Sequence, residues 1–287
     1  MSGNTQPSVG IGLPVYNNAK YLPKLLDSIV NQSYPHITVY LSDDCSSDGS
    51  AEICRDYAAR DNRIEYSRNK ENIGANLNNR KVLASASTEY FMFSRGHEIL
   101  SLNLVEECLH TLEENQESVL AFATTKWIDE EDNLIPNKPI GYFDTRGFDV
   151  VTRCALVFWG NWDLYYGLSR TSVLRSIRAN EEIIGNDVIS LLEKALLGSF
   201  AHARSAVRYR RYLYGGETYE KRMQRYKRGT HKSLKGIDRI FPLARLPYHL
   251  LRSVLKSKVR PAAKIKILFV LLTNAPLRYI VSKGEQI

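Results

Sequence analysis

Cysteine is scarce and unpaired: Cys45, Cys54, Cys108 and Cys154 stand singly, with no two at a ligand-like or bridge-like spacing. That pattern argues against a disulfide framework or a zinc knuckle and gives the thiols no assigned chemistry. The opening residues M-S-G-N-T-Q-P-S lack a basic region followed by an apolar stretch, so no secretory leader is read there and a cytoplasmic protein is expected. Long apolar runs are missing too. The run Ile265 to Leu272 is too short to span a bilayer. No repeat of fixed period is present. The sharpest deficit is of acid: between Lys221 and Lys266 fifteen Lys or Arg face the single Asp238, so a chain of net charge +8 is net acidic everywhere else.

What remains is ordinary in bulk. With 44% hydrophobic and 24% charged residues over 287 positions, the chain is long enough for one large α/β domain and an appendage. Val9 to Leu13 reads as a strand closed by P-V-Y-N, and Tyr21, Leu22, Leu25, Leu26, Ile29 and Val30 then recur at helical spacing. Val39 to Leu41 is a second strand, Asp48 opens a helix carrying Ile53, Tyr57 and Ala58, and Ile64 to Tyr66 is a third strand. N-I-G-A-N-L-N-N-R leads into a helix through Leu83, and Tyr90 to Phe93 is a fourth strand. Strand-helix units of this length imply right-handed crossovers and a largely parallel sheet, with the loops at Pro14, Asp43, Asn72 and Ser94 gathered on one edge.

The stretch V-Y-L-S-D-D-C-S-S-D-G organises this half. A short strand stops at two adjacent carboxylates, and in a parallel sheet the carboxyl ends of strands form the ligand crevice. Asp43 and Asp44 would then stand at its lip, able to accept hydrogen bonds from a base or ribose. The same residues also read as a plain strand-to-helix turn in which Asp48 caps the following helix.

The set P-V-Y-N, D-D-C-S-S-D-G-S, N-I-G-A-N-L-N-N-R and Y-F-M-F-S-R-G-H-E-I-L-S, in that order and spacing, resembles the nucleotide-sugar-binding half of the family 2 glycosyltransferases. The resemblance implies a GT-A fold, an α/β, mixed and mostly parallel sheet flanked by helices. It also implies inverting transfer from a nucleotide-sugar donor. By the same resemblance Pro14, Tyr16, Asn17, Asp43 and Asp44 line the base and ribose pocket, with Asn72, Gly74 and Arg80 nearer the diphosphate. Further along, Y-G-L-S-R-T-S-V-L-R and I-G-N-D-V-I-S-L-L-E-K resemble a branch of the family in which a G-x-D segment opens a helix beside the acceptor. The residue carried over is Asp187, as the base that takes the proton of the attacking hydroxyl; its alternative role is a helix first-turn acid.

The chain departs from the family at the end of the fourth strand. These enzymes usually carry Asp-x-Asp there, followed by another acid, to hold a divalent ion on the diphosphate. Here Arg95, Gly96, His97 and Glu98 take those places. A cation opposes a hard magnesium site, whereas His97 with Glu98 suits manganese or zinc. The simpler, metal-independent solution is that Arg95, helped by His97 when protonated, pairs with the diphosphate itself. A third reading is a decayed motif and a protein that binds nucleotide or a partner without turnover.

Phe158 to Arg170 crowds Trp159, Trp162, Tyr165 and Tyr166 into one stretch, which suits stacking on an acceptor sugar, assigned to Trp159 and Trp162, and suits core packing equally. Asp129 to Asp132 reads as a solvated hairpin tip. The basic tail threads Leu and Ile among its cations, as helices lying on an anionic membrane do. It lacks a nucleic-acid-binding motif, and no nucleic-acid partner is assigned. The expectation is therefore a transferase domain over residues 8–213 and a basic amphipathic helical extension over 214–287. The extension, through residues 221–287, would seat the enzyme on the inner face of a membrane. The enzyme would pass a sugar to a hydroxyl on a polysaccharide, glycan or lipid-linked acceptor.

Overall fold

The structure, a computed structural model, describes residues 6–136, 138, 143–160, 162–177, 185–213 and 245–284. The first half alternates strictly: β1 (Val9–Val15), α1 (Leu22–Val30), β2 (Ile37–Asp43), α2 (Ser50–Arg60), β3 (Ile64–Arg68), α3 (Ala75–Ser85) and β4 (Tyr90–Phe93). There follow β5 (Glu98–Leu100), α4 (Leu104–Glu114), β6 (Ser118–Ile128), α5 (Val150–Trp159), a short 3-10 helix (Trp162–Tyr166) and β7 (Leu168–Arg170). The chain continues through α6 (Thr171–Ser176), α7 (Asn186–Leu197), β8 (Ser199–Arg211), α8 (Leu246–Lys256) and α9 (Pro261–Gly284). The strands form one sheet in the order β3-β2-β1-β4-β7-β6-β8-β5. Its β3-β2-β1-β4 half is parallel, β7 runs antiparallel to both neighbours, β6 and β8 are parallel, and β5 closes the edge antiparallel to β8.

Residue alternation explains why this sheet buries both faces. Val9, Ile11 and Leu13 of β1 join Val39 and Leu41 of β2 against Leu22, Leu25, Leu26 and Ile29 of α1. The opposite face carries Tyr40, Phe91 and Phe93, stacked onward to Tyr165 of the 3-10 helix. Gly10 and Gly12 point that way, and any side chain at either would run into the Phe91 ring. A third cluster joins β6 and β8 to α5, α7, α8 and α9, with Leu250, Val254, Ile267 and Leu271 buried in it. The described part of the C-terminal stretch is thus packed on the sheet's helical layer; residues 214–244, where much of the basic run falls, lie outside the described residues.

The second half shows what periodicity did not predict. β5 and β7 are three residues each, and β8 bulges at Arg204 to Ala206, where its register on β6 slips between Ala123 and Thr124. The bulge lets the far end of β8 carry Arg208, Arg210 and Arg211 beyond the sheet centre while pairing with β5. The Asp129 to Asp132 tip is a hairpin, as expected, yet it is docked. Glu130 accepts from Lys20 Nζ (2.6 Å) and Tyr21 Oη (2.9 Å), and Asp132 is ion-paired to Lys24 and Arg211. Among the described residues no helix is long and apolar enough to cross a membrane.

Lys194 of α7 generates a testable consequence. Its side chain is fully buried, with Nζ 5.7 Å from the centre of the Tyr165 ring, and burial pulls its pKa from 10.5 down to about 7. Between those values the unfolded chain holds a proton the folded chain has lost, so stability rises with pH across that window. Urea unfolding of the wild type should therefore show a stability gain from pH 7 to pH 9. Lys194→Met should abolish that gain and be at least as stable at pH 7; an unchanged slope in the variant would refute the assignment.

Candidate active site

The carboxyl ends of β1, β2 and β4 open onto a cleft of about 540 Å³. Two loops build its floor by bonding to each other. Asn17 N donates to Ser46 Oγ (3.0 Å), Ser47 N to Asn17 Oδ1 (3.0 Å), Asn18 N to Ser50 Oγ (2.9 Å) and Ala19 N to Asp48 Oδ2 (3.0 Å). Asp48 Oδ1 also accepts from Ser50 N and Oγ, so this carboxylate joins the P-V-Y-N loop to the start of α2. Asn17 and Cys45 hold positive φ at 50° and 61°, which an Asn tolerates through local bonding. Pro14, Tyr16 and Asn17 line the cleft, as do Asn18, Lys20 and Tyr21, which the motif alone did not single out.

The two adjacent aspartates separate. Asp43 ends β2 as a strand residue with no exposed surface; its Oδ1 accepts from Ser46 N (3.1 Å), and Arg68 Nε lies 3.0 Å from Oδ2 off the hydrogen-bonding line. It does not line the cleft. Asp44, one residue past the strand, does, and its carboxylate accepts from Asn69 Nδ2 (2.8 Å), Ile73 N (2.8 Å) and Gly74 N (2.9 Å). It therefore pins the third loop. Gly74 caps α3 at φ 84°, a conformation other residues avoid, and Asn72 Oδ1 also accepts from its amide (3.0 Å). Asn72, Gly74, Asn78 and Asn79 line the cleft, whereas Arg80 is exposed on α3 and does not.

The fourth loop is where the cations collect. Gly96 packs on Asn18, whose Oδ1 would sit 2.5 Å from any Cβ added there. Arg95 and His97 line the cleft. The Arg95 guanidinium stacks 3.9 Å from the centre of the Tyr166 ring and lies 3.7 Å from Glu98 and 3.6 Å from Asp163. Burial opposes its charge, and Tyr166, Glu98 and Asp163 more than restore it, so Arg95 stays protonated. Glu98 is buried; Arg208 Nη1 at 3.0 Å and Arg95 outweigh its desolvation and hold its pKa below the ordinary carboxylate range. Asp163 is bonded to Arg210, and Arg208 Nη2 donates to Tyr166 O at 2.5 Å. Burial takes His97 down to about 4, with Arg95, Arg210 and Arg211 adding to the effect, so the ring is neutral at pH 7 and brings no charge to Arg95 there.

These donors do not fit a divalent ion. Glu98 is spent on two guanidiniums, and a cation beside His97 would meet Arg95, Arg210 and Arg211. Among the described residues no group of three His, Cys, Asp or Glu is arranged as a metal site.

Asp187 occupies the first turn of α7, accepts from Val188 N (3.0 Å), and adds to the upward shift that burial imposes on the Tyr165 and Tyr166 phenols. Tyr166 lines the cleft, whereas Asp187 is not among the residues that do. Trp159, at the end of α5, is half-exposed and donates Nε1 to Asn274 of α9 (3.2 Å); Trp162 opens the 3-10 helix. Trp159 does not line the cleft, and the Trp162 side chain lies outside what the structure describes. Sequence reading passed over Arg208 and Arg210, whose signal was the R-Y-R-R alternation at the end of a strand.

Residues 11–163 match the model of the family described as Glycosyl transferase family 2. The chain is 36% identical over 90 residues to the putative teichuronic acid biosynthesis glycosyltransferase TuaG of Bacillus subtilis, covering 31% of this chain and 36% of that one. It is 26% identical over 240 residues to chondroitin synthase of Escherichia coli, covering 76% of this chain and 30% of that one. The matched stretches are therefore well under half the length of these relatives. Among solved structures, S. aureus TarS 1-349 in complex with UDP-GlcNAc aligns with TM-score 0.68 at 16% identity, over 92% of this chain and 71% of that one. Mannosyltransferase PcManGT from Pyrobaculum calidifontis, in complex with GDP-Man and manganese, gives 0.57 at 15% identity, over 99% and 85%. The sheet and its flanking helices have the GT-A architecture.

The Asp44 clasp can be tested directly. Asp44→Ala strands the amide of Ile73 and leaves that of Gly74 with Asn72 Oδ1 as its one acceptor, at a cost of about 1–3 kcal/mol for a donor left without a partner. Urea unfolding should record that loss, and amide exchange at Ile73 and Gly74 should quicken relative to the core amides of β1. Unchanged exchange at both would show that the loop holds itself.

Proposed function

The chain belongs to glycosyl transferase family 2, and from that premise we propose an inverting transferase that moves a sugar from a nucleotide-diphosphate donor to a hydroxyl acceptor. The relatives, a putative teichuronic acid glycosyltransferase and a chondroitin synthase among them, support a polysaccharide or related glycan product, and the neighbours with UDP-GlcNAc and GDP-Man support a nucleotide-sugar donor. The observation that carries the reading is the Arg95 guanidinium in the cleft, stacked on Tyr166 with both carboxylate neighbours beyond hydrogen-bond distance. In this reading the base and ribose sit over the stitched loops of Asn17 and Asp48. The α3 start, with Gly74 and Asn72, meets the diphosphate. Arg95 supplies the positive charge that stabilises the departing diphosphate, using the paired donors a guanidinium offers to phosphate oxygens.

The acceptor oxygen then attacks the anomeric carbon from the face opposite the diphosphate. The new C–O bond forms as the bond to phosphate breaks, and the diphosphate leaves with the electron pair. The hydroxyl proton passes to Asp187. The work takes place on the cytoplasmic face of a membrane, with residues 221–287 as a peripheral anchor. A second reading, nucleotide binding without turnover, is favoured by the replaced acidic motif at Arg95 to Glu98. An assay of nucleotide release across a panel of nucleotide sugars separates the two: nucleotide bound, with no release from any donor, would select the second.

Two outcomes follow for the variants. Asp187→Asn should leave donor affinity nearly intact and lower turnover by roughly two to four orders of magnitude, the usual worth of a positioned general base. Near-normal turnover would return Asp187 to a helix first-turn role. For Arg95, donor binding and turnover should survive a strong chelator, while Arg95→Ala should weaken affinity for the nucleoside diphosphate far more than for the nucleoside. Activity lost on chelation and restored by manganese would overturn the metal-free reading.

A further inference from the structure

Helix α9 carries two apolar stripes. Ile267 and Leu271 are buried in the cluster with α5 and α7, and Asn274 on the same side receives the Trp159 indole. Ile265, Phe269 and Leu272 are 69%, 67% and 60% exposed. At about 100° per residue, positions 265, 269 and 272 fall within about 60° of one another, and they lie roughly opposite 267, 271 and 274. A helix that needed only to pack on its own body would show solvent a polar back. This one shows solvent an isoleucine, a phenylalanine and a leucine in one line.

The surrounding charge decides what covers them. No Asp or Glu occurs from Arg239 to Gly284. Lys256, Lys258 and Arg260 are exposed at the α8–α9 corner, and Lys266 is exposed beside the stripe. Asp149, a carboxylate that feels Lys266, is spent capping α5 through Val151 N and Thr152 N. Lys264 locks the corner by donating to Leu255 O (2.8 Å), which fixes the direction of α9 against the body. An apolar line whose own segment carries cations and no acid is complementary to a surface with an apolar interior and an anionic rim.

We propose that the Ile265–Phe269–Leu272 edge of α9 inserts into the headgroup and acyl boundary of an anionic bilayer, with the helix axis in the membrane plane. The exposed lysines and Arg260 lie at the level of the lipid phosphates. The cleft at the carboxyl ends of β1, β2 and β4 is thereby held at a fixed height above the lipid. This rests on the reading of the chain as peripheral to a membrane and is independent of its transfer chemistry.

Co-sedimentation of the full chain with phosphatidylglycerol-containing vesicles and with pure phosphatidylcholine vesicles tests it, at low and at high salt. The wild type should prefer the anionic vesicles, and salt should weaken the binding. The triple variant Ile265→Ser, Phe269→Ser, Leu272→Ser, all at exposed positions, should partition at least tenfold less while keeping the wild-type circular dichroism. In a second variant, Phe269→Trp, the added fluorescence should shift to the blue on anionic vesicles and be quenched by brominated acyl chains. Wild-type partitioning by the triple variant, or a tryptophan at 269 that brominated lipid leaves unquenched, would overturn the insertion while sparing the peripheral reading. No vesicle binding by the wild type would overturn both. A wild-type dimer that the triple variant dissociates, with vesicle binding unaltered, would reassign the stripe to a contact between copies of the chain.

Discussion

A buried carboxylate is tolerated in a folded chain only where cations meet it, and on the cleft's fourth side that carboxylate is Glu98. With 1% of its side chain exposed it is held by Arg208 at 3.0 Å and by Arg95 at 3.7 Å. Arg208 in turn donates to Tyr166 O, and the Tyr166 ring lies under Arg95. The loop after β4, the strands β5 and β8, and the 3-10 helix are thus tied through one set of charges. The arrangement also fixes which chemistry the position can support. A carboxylate that already balances two guanidiniums has little negative charge left for a metal ion, while a guanidinium shared between two carboxylates at 3.6 and 3.7 Å keeps donor directions that neither occupies fully.

The first half of this fold was legible because its signals are local. Apolar alternation marks β1 and β2, 3.6-residue spacing marks α1, and the four loops at strand ends fall on one edge once right-handed crossovers are assumed. The second half resists the same reading for a physical reason. β5 and β7 are three residues long and exist through pairing with β8, β4 and β6, segments distant in sequence. A propensity read from a short window cannot register such pairing.

At the site, residue type was easier to read than direction. D-D is symmetrical on paper, yet the pleat keeps Asp43 beneath Arg68, and the end of β2 frees Asp44 to turn toward the third loop. The aromatic cluster divides in the same way. Tyr165 and Tyr166 of the 3-10 helix pack inward beside the cleft, while Trp159, at the end of α5, meets α9. Helix α7 shows a further cost that sequence does not display. Asn186 Oδ1 and Ser190 Oγ are buried without a hydrogen-bond partner among the described residues, and Lys194 is buried with them on the same helix.

Two groups of cations in this chain act by different physics. Arg95, Arg208, Arg210 and Arg211 are half-buried or buried and paired with Glu98, Asp163 and Asp132. Their field is strong at contact, where solvent is excluded, and largely cancelled a few ångströms beyond. The exposed cations from Lys256 to Lys266 have no carboxylate in their own segment and act through water. At physiological ionic strength their reach is about 8 Å, so they govern what lies against α8 and α9 and contribute little within the cleft. Net charge taken over the whole sequence therefore says nothing useful about donor binding. On the proposed reading, the local balance around Arg95 sets the pull on an anionic ligand and the acid-free C-terminal helices set the pull on an anionic surface, so that each can be altered by substitution without disturbing the other.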